Sequence, residues 1–446
     1  MGTESAGKAS LHNLGCKVNA YEMDVMEQIL RSKGYEIVPF GEKADVCIIN
    51  TCTVTNIADR KSRQMLHRAR SENPGAVIVA VGCYVQTGLE EALKDEGIDL
   101  CIGNNNKSRI AEILERYLDE REAGRTDKMP GGDTVSSMKD CPYERMELTE
   151  LSSRTRAYIK IQDGCDQFCT YCIIPFARGR VRCREREDIV KEVAGLAGKG
   201  ISEFVLTGIN VSTYGADGLL GLLNDLDGVK GVRRIRLSSL EPRLFTEGFV
   251  RGLKAVENLC PHFHLSLQSG SDSVLKRMNR HYDTKEYAEK AELLRSVFDD
   301  PAITTDIIAG FPGETEEEFE ETFSFARKTG FYEMHVFKYS RREGTVADRM
   351  SGQLTDREKS ARSEKLISLG RLMSEEYVKR HEGLVREVLF EEVKELDGRE
   401  YVVGHTPEYI HVAAEGGTEL CGRIESVKLK GNAGEGFIKG ELIKFT

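Results

Sequence analysis

The sequence predicts an α/β protein in three parts: an N-terminal doubly wound parallel domain, a central partial (βα)6 barrel and a small C-terminal antiparallel β-barrel. Three observations predict it. Short apolar runs alternate with helical patterns over residues 9–120, and the same alternation returns over 154–380. The remaining stretch, 383–446, holds only short β-type runs broken by glycine. At 446 residues the chain is also too long for a single core.

In the first part, "SLHNLGC" (10–16), "ADVCIINTCTV" (44–54), "AVIVAVGCYV" (76–85) and "IDLCIG" (98–103) read as strands. The unbroken apolar runs of the middle two suit strands buried on both faces of a parallel sheet. "AYEMDVMEQILRSKG" and "NIADRKSRQMLHRARSENPG" read as helices, each ending near Gly or Pro. Residues 121–153 are polar, with Gly and Pro, and read as a linker. Six strand patterns follow: "RAYIKIQ", "EFVLTGIN", "RRIRLSS", "HFHLSLQ", "AITTDIIAG" and "EMHVFKYS". Each precedes a helical pattern, such as 185–199, 243–257, 283–297 and 314–329. Six units are too few for a closed eightfold barrel, so an open one is expected. The last part offers about five short strands, enough for a small barrel.

Composition removes several classes. No apolar run approaches the roughly 20 residues of a membrane span. The start, "MGTESAGKAS", lacks the apolar core of a signal peptide, so a cytoplasmic location is expected. A net charge of −10 argues against a general nucleic-acid binder but leaves room for a local basic patch. Twelve cysteines in a reducing compartment point to metal binding or catalysis rather than disulfides.

The cysteines fall into two sets of three. Cys165, Cys169 and Cys172, in "DGCDQFCTYC", are spaced C-x3-C-x2-C just after the first barrel strand, at the mouth where such folds place their chemistry. A structural zinc wants four ligands, and the next cysteine, Cys183, is eleven residues on. Three thiolates on a 4Fe–4S cluster leave one iron open for a substrate's donor atoms. The alternative is a zinc knot or a packed loop. Cys16, Cys52 and Cys83 each stand at or just beyond the C-terminal end of a strand. In a parallel sheet those ends share one edge, where ligands bind. The alternative is three strand-end cysteines that only pack. Cys47 and Cys101 lie inside strands and read as core.

"NLGCKVNAYE" (13–22), "NTCTVT" (50–55), "GCDQFCTYCIIPFARGR" (164–180) and "GFPGET" (310–315) together resemble the methylthiotransferases among the radical S-adenosylmethionine enzymes. The resemblance covers nearly the whole chain and adds the name TRAM, an RNA-binding module, to the C-terminal barrel. "LGCKVNAYE" and "HLSLQSGSDSVLKRMNRHY" (264–282) are similar to the branch acting on threonylcarbamoyladenosine in tRNA. The isopentenyladenosine branch would read "GCQMN", and the ribosomal-protein branch "GCPKN".

The resemblance implies two 4Fe–4S clusters, one on each cysteine set, and S-adenosylmethionine as cofactor. One cofactor molecule would methylate sulfur on the first-domain cluster. A second would be cleaved at the barrel cluster to a radical that takes hydrogen from carbon 2 of the modified adenine. That bond has no useful acidity, so a radical cofactor must open it. Cofactor contacts are implied for Tyr171, Gly208, Ser239, Glu241, Gln268 and Gly310. The implied partners are the anticodon loop of tRNA and a low-potential electron donor of the flavodoxin or ferredoxin type; no membrane partner is expected.

Arg178, Arg180, Arg182, Arg184 and Arg186 stand at every second position. In an extended segment they would face one way and form a phosphate track; a solvated face is the alternative. Tyr409 on the C-terminal barrel is expected to stack on a base. The rival readings are a methylthiotransferase of isopentenyladenosine or of a ribosomal protein, a non-catalytic iron–sulfur redox protein, and a zinc-stabilised RNA-binding protein.

Overall fold

The computed structural model describes residues 6–151 and 155–443. The expected boundary between linker and barrel, at 153/154, lies outside them. In the N-terminal part five strands pair in parallel: Gly7–Asn13, Tyr35–Val38, Val46–Thr51, Val77–Gly82 and Leu100–Ile102. Numbered along the chain, their order is 2-1-3-4-5, a doubly wound arrangement. The strands read as buried runs, Val46–Thr51 and Val77–Gly82, are buried at every residue. Tyr35–Val38 is one strand more than the four expected. It is a four-residue edge strand of mixed burial, too short to show a period.

The stretch read as a linker is a packed strap. Met138, Met146 and Leu148 are buried. The Tyr21 hydroxyl donates to the Met146 carbonyl at 2.8 Å, and Ser108 N–H donates to the Glu144 carboxylate at 2.7 Å.

Six parallel strands form the central part: Arg156–Lys160, Glu203–Thr207, Arg234–Leu237, His262–His264, Ala302–Ala309 and Glu333–Lys338. They make two three-stranded ladders, bridged at Ile235–Leu259 and Leu240–Leu265, which gives the open half-barrel expected. Amphipathic helices cover its outside. Glu316–Thr329 shows why one begins and ends where it does: Thr315 and Glu318 form a capping box, and Gly330 closes the helix in the left-handed conformation.

The C-terminal strands Val385–Leu396, Arg399–His405, His411–Ala414, Ile424–Gly434 and Phe437–Leu442 close into a barrel. Four pairings are antiparallel, and one parallel pairing, His411–Ala414 with Phe437–Leu442, completes the ring. Val388, Phe390, Val402, Val412 and Ile438 fill it.

Two polar junctions fix the parts. At the floor of the half-barrel, where its strands begin, Arg234 donates to the carbonyls of His405 and Glu387 at 2.9 and 2.8 Å. Arg236 donates to those of Thr406 and Pro407 at 2.7 Å each. Burial would raise Glu203, but Arg236, bonded to it at 2.8 Å, brings its carboxyl down to about 2. At the side, the N-terminal helix Lys17–Ser32 packs on the first barrel strand and buries Glu22 completely. Glu22 accepts from Lys107, from Lys160 at 2.7 Å and from Arg178 at 2.9 and 3.0 Å. Asp163 pairs with Lys160 at 2.7 Å and Arg178 at 3.1 Å. Burial opposes its charge, yet Lys160 and Arg178 hold its carboxyl down at about 2.

Candidate active site

The barrel cysteines sit on an out-and-back loop. Gln162–Asp163 pairs antiparallel with Arg182–Cys183, pinching residues 164–181 into one excursion. Gly164 has φ 71°, and a Cβ there would lie 1.9 Å from the Arg180 carbonyl oxygen, so only glycine passes. Inside the loop Cys172 N–H donates to the Cys169 carbonyl at 2.9 Å, and Cys165 N–H to that of Gly179 at 3.0 Å. The loop is pinned from outside as well: Thr170 N–H donates to Met278 O at 3.0 Å, and the Asn279 amide reaches the Gln167 and Phe168 carbonyls at 3.2 Å. Burial, with Cys169 adding to it, pushes the Cys165 thiol up to about 11 and that of Cys172 up to about 12. Arg280 donates to Cys169 Sγ at 3.3 Å and to both Glu241 oxygens at 2.8 Å.

The first-domain cysteines come together from three strand ends. Cys16 opens the helix Lys17–Ser32, Cys52 follows Thr51, and Cys83 opens the short helix Cys83–Thr87. Gly15 has φ 106°, and a Cβ there would stand 2.9 Å from Cys52 Cβ and 3.1 Å from its Sγ, so the first and third strand ends touch. Burial, then Cys83 and Cys16, push the Cys52 thiol up to about 12. The Asn104 amide donates to Cys83 Sγ at 3.4 Å and to Ala177 O at 2.7 Å. Ala177 lies in Ile174–Arg178, the short helix that follows the barrel cysteines, so one side chain spans the two sites. Cys47 and Cys101 lie buried in the sheet.

Both sites offer three sulfurs. Burial makes Cys52, Cys165 and Cys172 costly as thiolates, and a cationic cluster reverses that cost. The donor sets fit 4Fe–4S clusters with one open iron each. They fit four-coordinate zinc poorly: Cys183, the next cysteine, directs its Sγ to the Thr213 carbonyl at 3.9 Å.

The other expected cofactor residues surround the barrel mouth. Glu241 is held by Arg280, as above. Ser239 is half-buried at a strand end. Gln268 adopts φ 69°, and its N–H donates to Asp306 O at 2.8 Å. Tyr171 stands edge-on to Phe311, ring centroids 6.5 Å apart. At Gly208 a Cβ would meet Gln162 Oε1 at 2.7 Å, so its bare face lies against that side chain. At Gly310, where a cofactor contact is implied, the face a side chain would occupy is filled by Lys359, 2.4 Å from the Cβ position.

The arginine track does not form. Residues 174–178 make a helical turn and only Arg182–Cys183 is extended, so the alternation never lines up. Arg178 is fully buried on Glu22 and Asp163. Arg182 donates to Arg178 O at 2.7 Å and lies 3.6 Å from Asp163. Arg184 is buried on Glu192. Arg180 stays exposed, 3.4 Å from Asp166 and 5.1 Å over the Phe168 ring. Tyr409 also differs from the expectation. It turns into the barrel floor, stacked on His262 and His405 at 5.0 and 4.4 Å, so its ring is already occupied.

Sequence reasoning missed Arg280 as a cysteine partner, and it missed Arg342. That arginine, in "YSRREG", donates to Thr53 Oγ1 and Asn56 Oδ1 at 2.7 Å and pairs with Asp59. Ala347 N–H, in the same loop, donates to Thr170 O at 2.8 Å. The loop therefore straps the Cys52 side to the barrel cysteine loop. Long-range pairs of this kind leave no local signal.

A three-cysteine loop at the mouth of a six-stranded half-barrel defines a radical S-adenosylmethionine enzyme. The family model described as the radical SAM superfamily matches residues 159–326, and one described as uncharacterized protein family UPF0004 matches residues 8–103. A threonylcarbamoyladenosine tRNA methylthiotransferase MtaB of Bacillus subtilis (strain 168) is 40% identical over 98% of this chain and 96% of its own. One of Aquifex aeolicus is 38% identical over 93% and 98%. A tRNA-2-methylthio-N(6)-dimethylallyladenosine synthase of Pelotomaculum thermopropionicum is 34% identical over 94% of each. The chain belongs to the methylthiotransferase family of radical S-adenosylmethionine enzymes. Among solved structures, the radical S-adenosylmethionine methyltransferase TsrM of Kitasatospora setae shares the fold, with a TM-score of 0.59 at 14% identity over 88% of this chain and 79% of that one.

Proposed function

We propose that the chain inserts a methylthio group at carbon 2 of N6-threonylcarbamoyladenosine in tRNA. The observation that carries this reading is the pairing of the two cysteine sets, tied to each other through Asn104 and the 174–178 helix. When bound, the clusters and S-adenosylmethionine supply the radical that opens the C2–H bond and the sulfur that replaces the hydrogen.

The chain's own residues do the rest. Cys165, Cys169 and Cys172 hold the radical side, and Arg280 places positive charge against Cys169 while fixing Glu241. Glu241, with Ser239, Gln268 and Tyr171, lines the seat for the cofactor, while Gly208 and Gly310 turn their bare faces to Gln162 and Lys359. Cys16, Cys52 and Cys83 hold the sulfur side. The Arg342 strap keeps the two sides at a fixed separation, which positioned chemistry between two centres requires.

For tRNA contact the structure supports a different set from the arginine track. Phe168 is held at φ 47° with its ring exposed under Arg180. Val54, Ile57, Phe176 and Val346, also exposed, lie on the loops and helix starts that follow or strap the two cysteine sets. Apolar and aromatic side chains beside one arginine suit the splayed bases of an anticodon loop. Among the described residues no helix is long and apolar enough to cross a membrane. A cytoplasmic location and a flavodoxin- or ferredoxin-type donor complete the proposal.

The test is mass spectrometry of tRNA nucleosides from cells lacking the gene. The 2-methylthio form of threonylcarbamoyladenosine should vanish and its precursor accumulate. Loss of the isopentenyl derivative instead would move the chain to the other tRNA branch.

A further inference from the structure

Beneath the barrel mouth, inside the half-barrel, lies a cavity of about 280 Å³. At about 30 Å³ per water it holds roughly nine waters, or a substituent of similar atom count. Its lining carries Lys17 from the N-terminal domain, Arg156 and Arg236 from barrel strands, the imidazoles of His262 and His264, and one acid, Glu333.

The arginines and His264 are committed to protein partners. Arg236 is spent on Glu203 and the Thr406 and Pro407 carbonyls. Arg156 pairs with Glu391 at 3.4 Å and donates to the Tyr409 hydroxyl at 3.1 Å. His264 faces Asp306 at 3.3 Å. Lys17 is different. Among the described residues its side chain makes no hydrogen bond or ion pair, and it lines the cavity as an exposed residue. His262, also in the lining, meets Thr304 Oγ1 through Nε2 at 3.5 Å, and its Nδ1 is buried away from the cavity space. An ammonium that lines a cavity without a protein partner lacks a group of negative charge.

The position of Lys17 narrows the choice. It follows Cys16 directly, with its Cα about 3.8 Å from that of the cysteine. Sulfur held at Cys16, Cys52 and Cys83 must come within bonding distance of adenine carbon 2. Carbon 2 and carbon 6, which bears the N6 nitrogen, are both bonded to the ring nitrogen N1. A substituent on N6 therefore lies within one side-chain length of the residue beside Cys16. In threonylcarbamoyladenosine that substituent ends in a carboxylate.

We propose that Lys17 is the counter-charge for the threonyl carboxylate, and that the lumen cavity beneath it receives the N6 substituent. This rests on the activity proposed above. Lys17 then acts in substrate choice: a neutral N6 group gains nothing from it and leaves an ammonium without a partner.

The test uses the full-length reconstituted protein and anticodon stem-loops carrying either threonylcarbamoyladenosine or its neutral carboxamide. Wild-type protein should bind the acid about tenfold or more tighter than the amide, the size of one charge-assisted bond. Lys17→Gln should bind the two equally, and Lys17→Arg should keep the preference. Retention of the full preference by Lys17→Gln overturns the proposal. So does equal binding of acid and amide by wild-type protein, a measurement that needs no variant to fold. The activity proposed above fails separately, if wild-type protein makes no methylthio product from the threonylcarbamoyl stem-loop.

Discussion

The two cysteine sets solve one problem in opposite ways. The barrel set is local: eight consecutive positions, a pinched loop and one obligatory glycine bring three sulfurs together. The first-domain set is global. Its sulfurs span residues 16 to 83 and meet only because a parallel sheet gathers its strand ends on one edge. The local site has two half-buried cysteines and one buried, and the global site has one exposed, Cys16, and two buried. The global site is as firm as the sheet behind it, and it can place sulfur over a neighbouring domain. Assembly of the second site therefore depends on folding, and its use depends on docking.

The largest effect that separates them is removal of one set. Replacing Cys165, Cys169 and Cys172 together by Ala should remove about half the iron and all cleavage of S-adenosylmethionine. Iron analysis and 5′-deoxyadenosine measurement check it, and full iron retention would contradict the assignment. Cys52→Ala should do the reverse. 5′-Deoxyadenosine should still form on addition of reductant, while methylthio nucleoside falls below detection in the same reaction. Normal product from that variant would reduce the first-domain set to packing.

The docking between them can be loosened without touching a sulfur. Glu22→Gln removes the carboxylate shared by Lys107, Lys160 and Arg178 and leaves buried cations underpaired, a loss of about 3–5 kcal/mol. Urea unfolding of the full chain reads it.

What the sequence revealed follows the same division. The barrel site was legible because its spacing is its geometry. The first-domain site was legible once strands were placed, since each cysteine ends one. Lys17 was visible as a mark of branch in "LGCKVN", but nothing local says that it points into the neighbouring lumen. The arginines failed for a definite reason: alternation means one face only in an extended chain, and Ile174–Arg178 is helical. Tyr409 failed because a turn residue's direction is set by what packs on it, here the barrel floor. Arg233, Arg234 and Arg236, close together in sequence, are consumed by the C-terminal barrel.

Acid provides a weaker, graded test of the buried junctions. Asp163 and Glu203 both titrate at about 2 in the folded protein, below their ordinary range. The unfolded chain thus binds more protons as pH falls through that interval. The stabilisation, on the order of 2 kcal/mol for each carboxylate, is complete above about pH 5 and lost toward pH 2. Unfolding midpoints of metal-free protein at constant salt should be flat from pH 7 to 5 and then drop. The smallest effect is expected at the rim. Arg233 and Glu387 pair at 3.1 Å with both side chains about half exposed, and Arg233→Ala should cost about 0–1 kcal/mol in the same assay.

The arginine–carbonyl contacts under the half-barrel have a consequence for traffic. With Arg234 and Arg236 bonded to the C-terminal barrel and Tyr409 wedged against His262, the lumen is a cul-de-sac. Whatever enters must back out by the door it used. A nucleotide that has gained a bulky sulfur group leaves along the path by which it arrived, and the next one waits until it has gone.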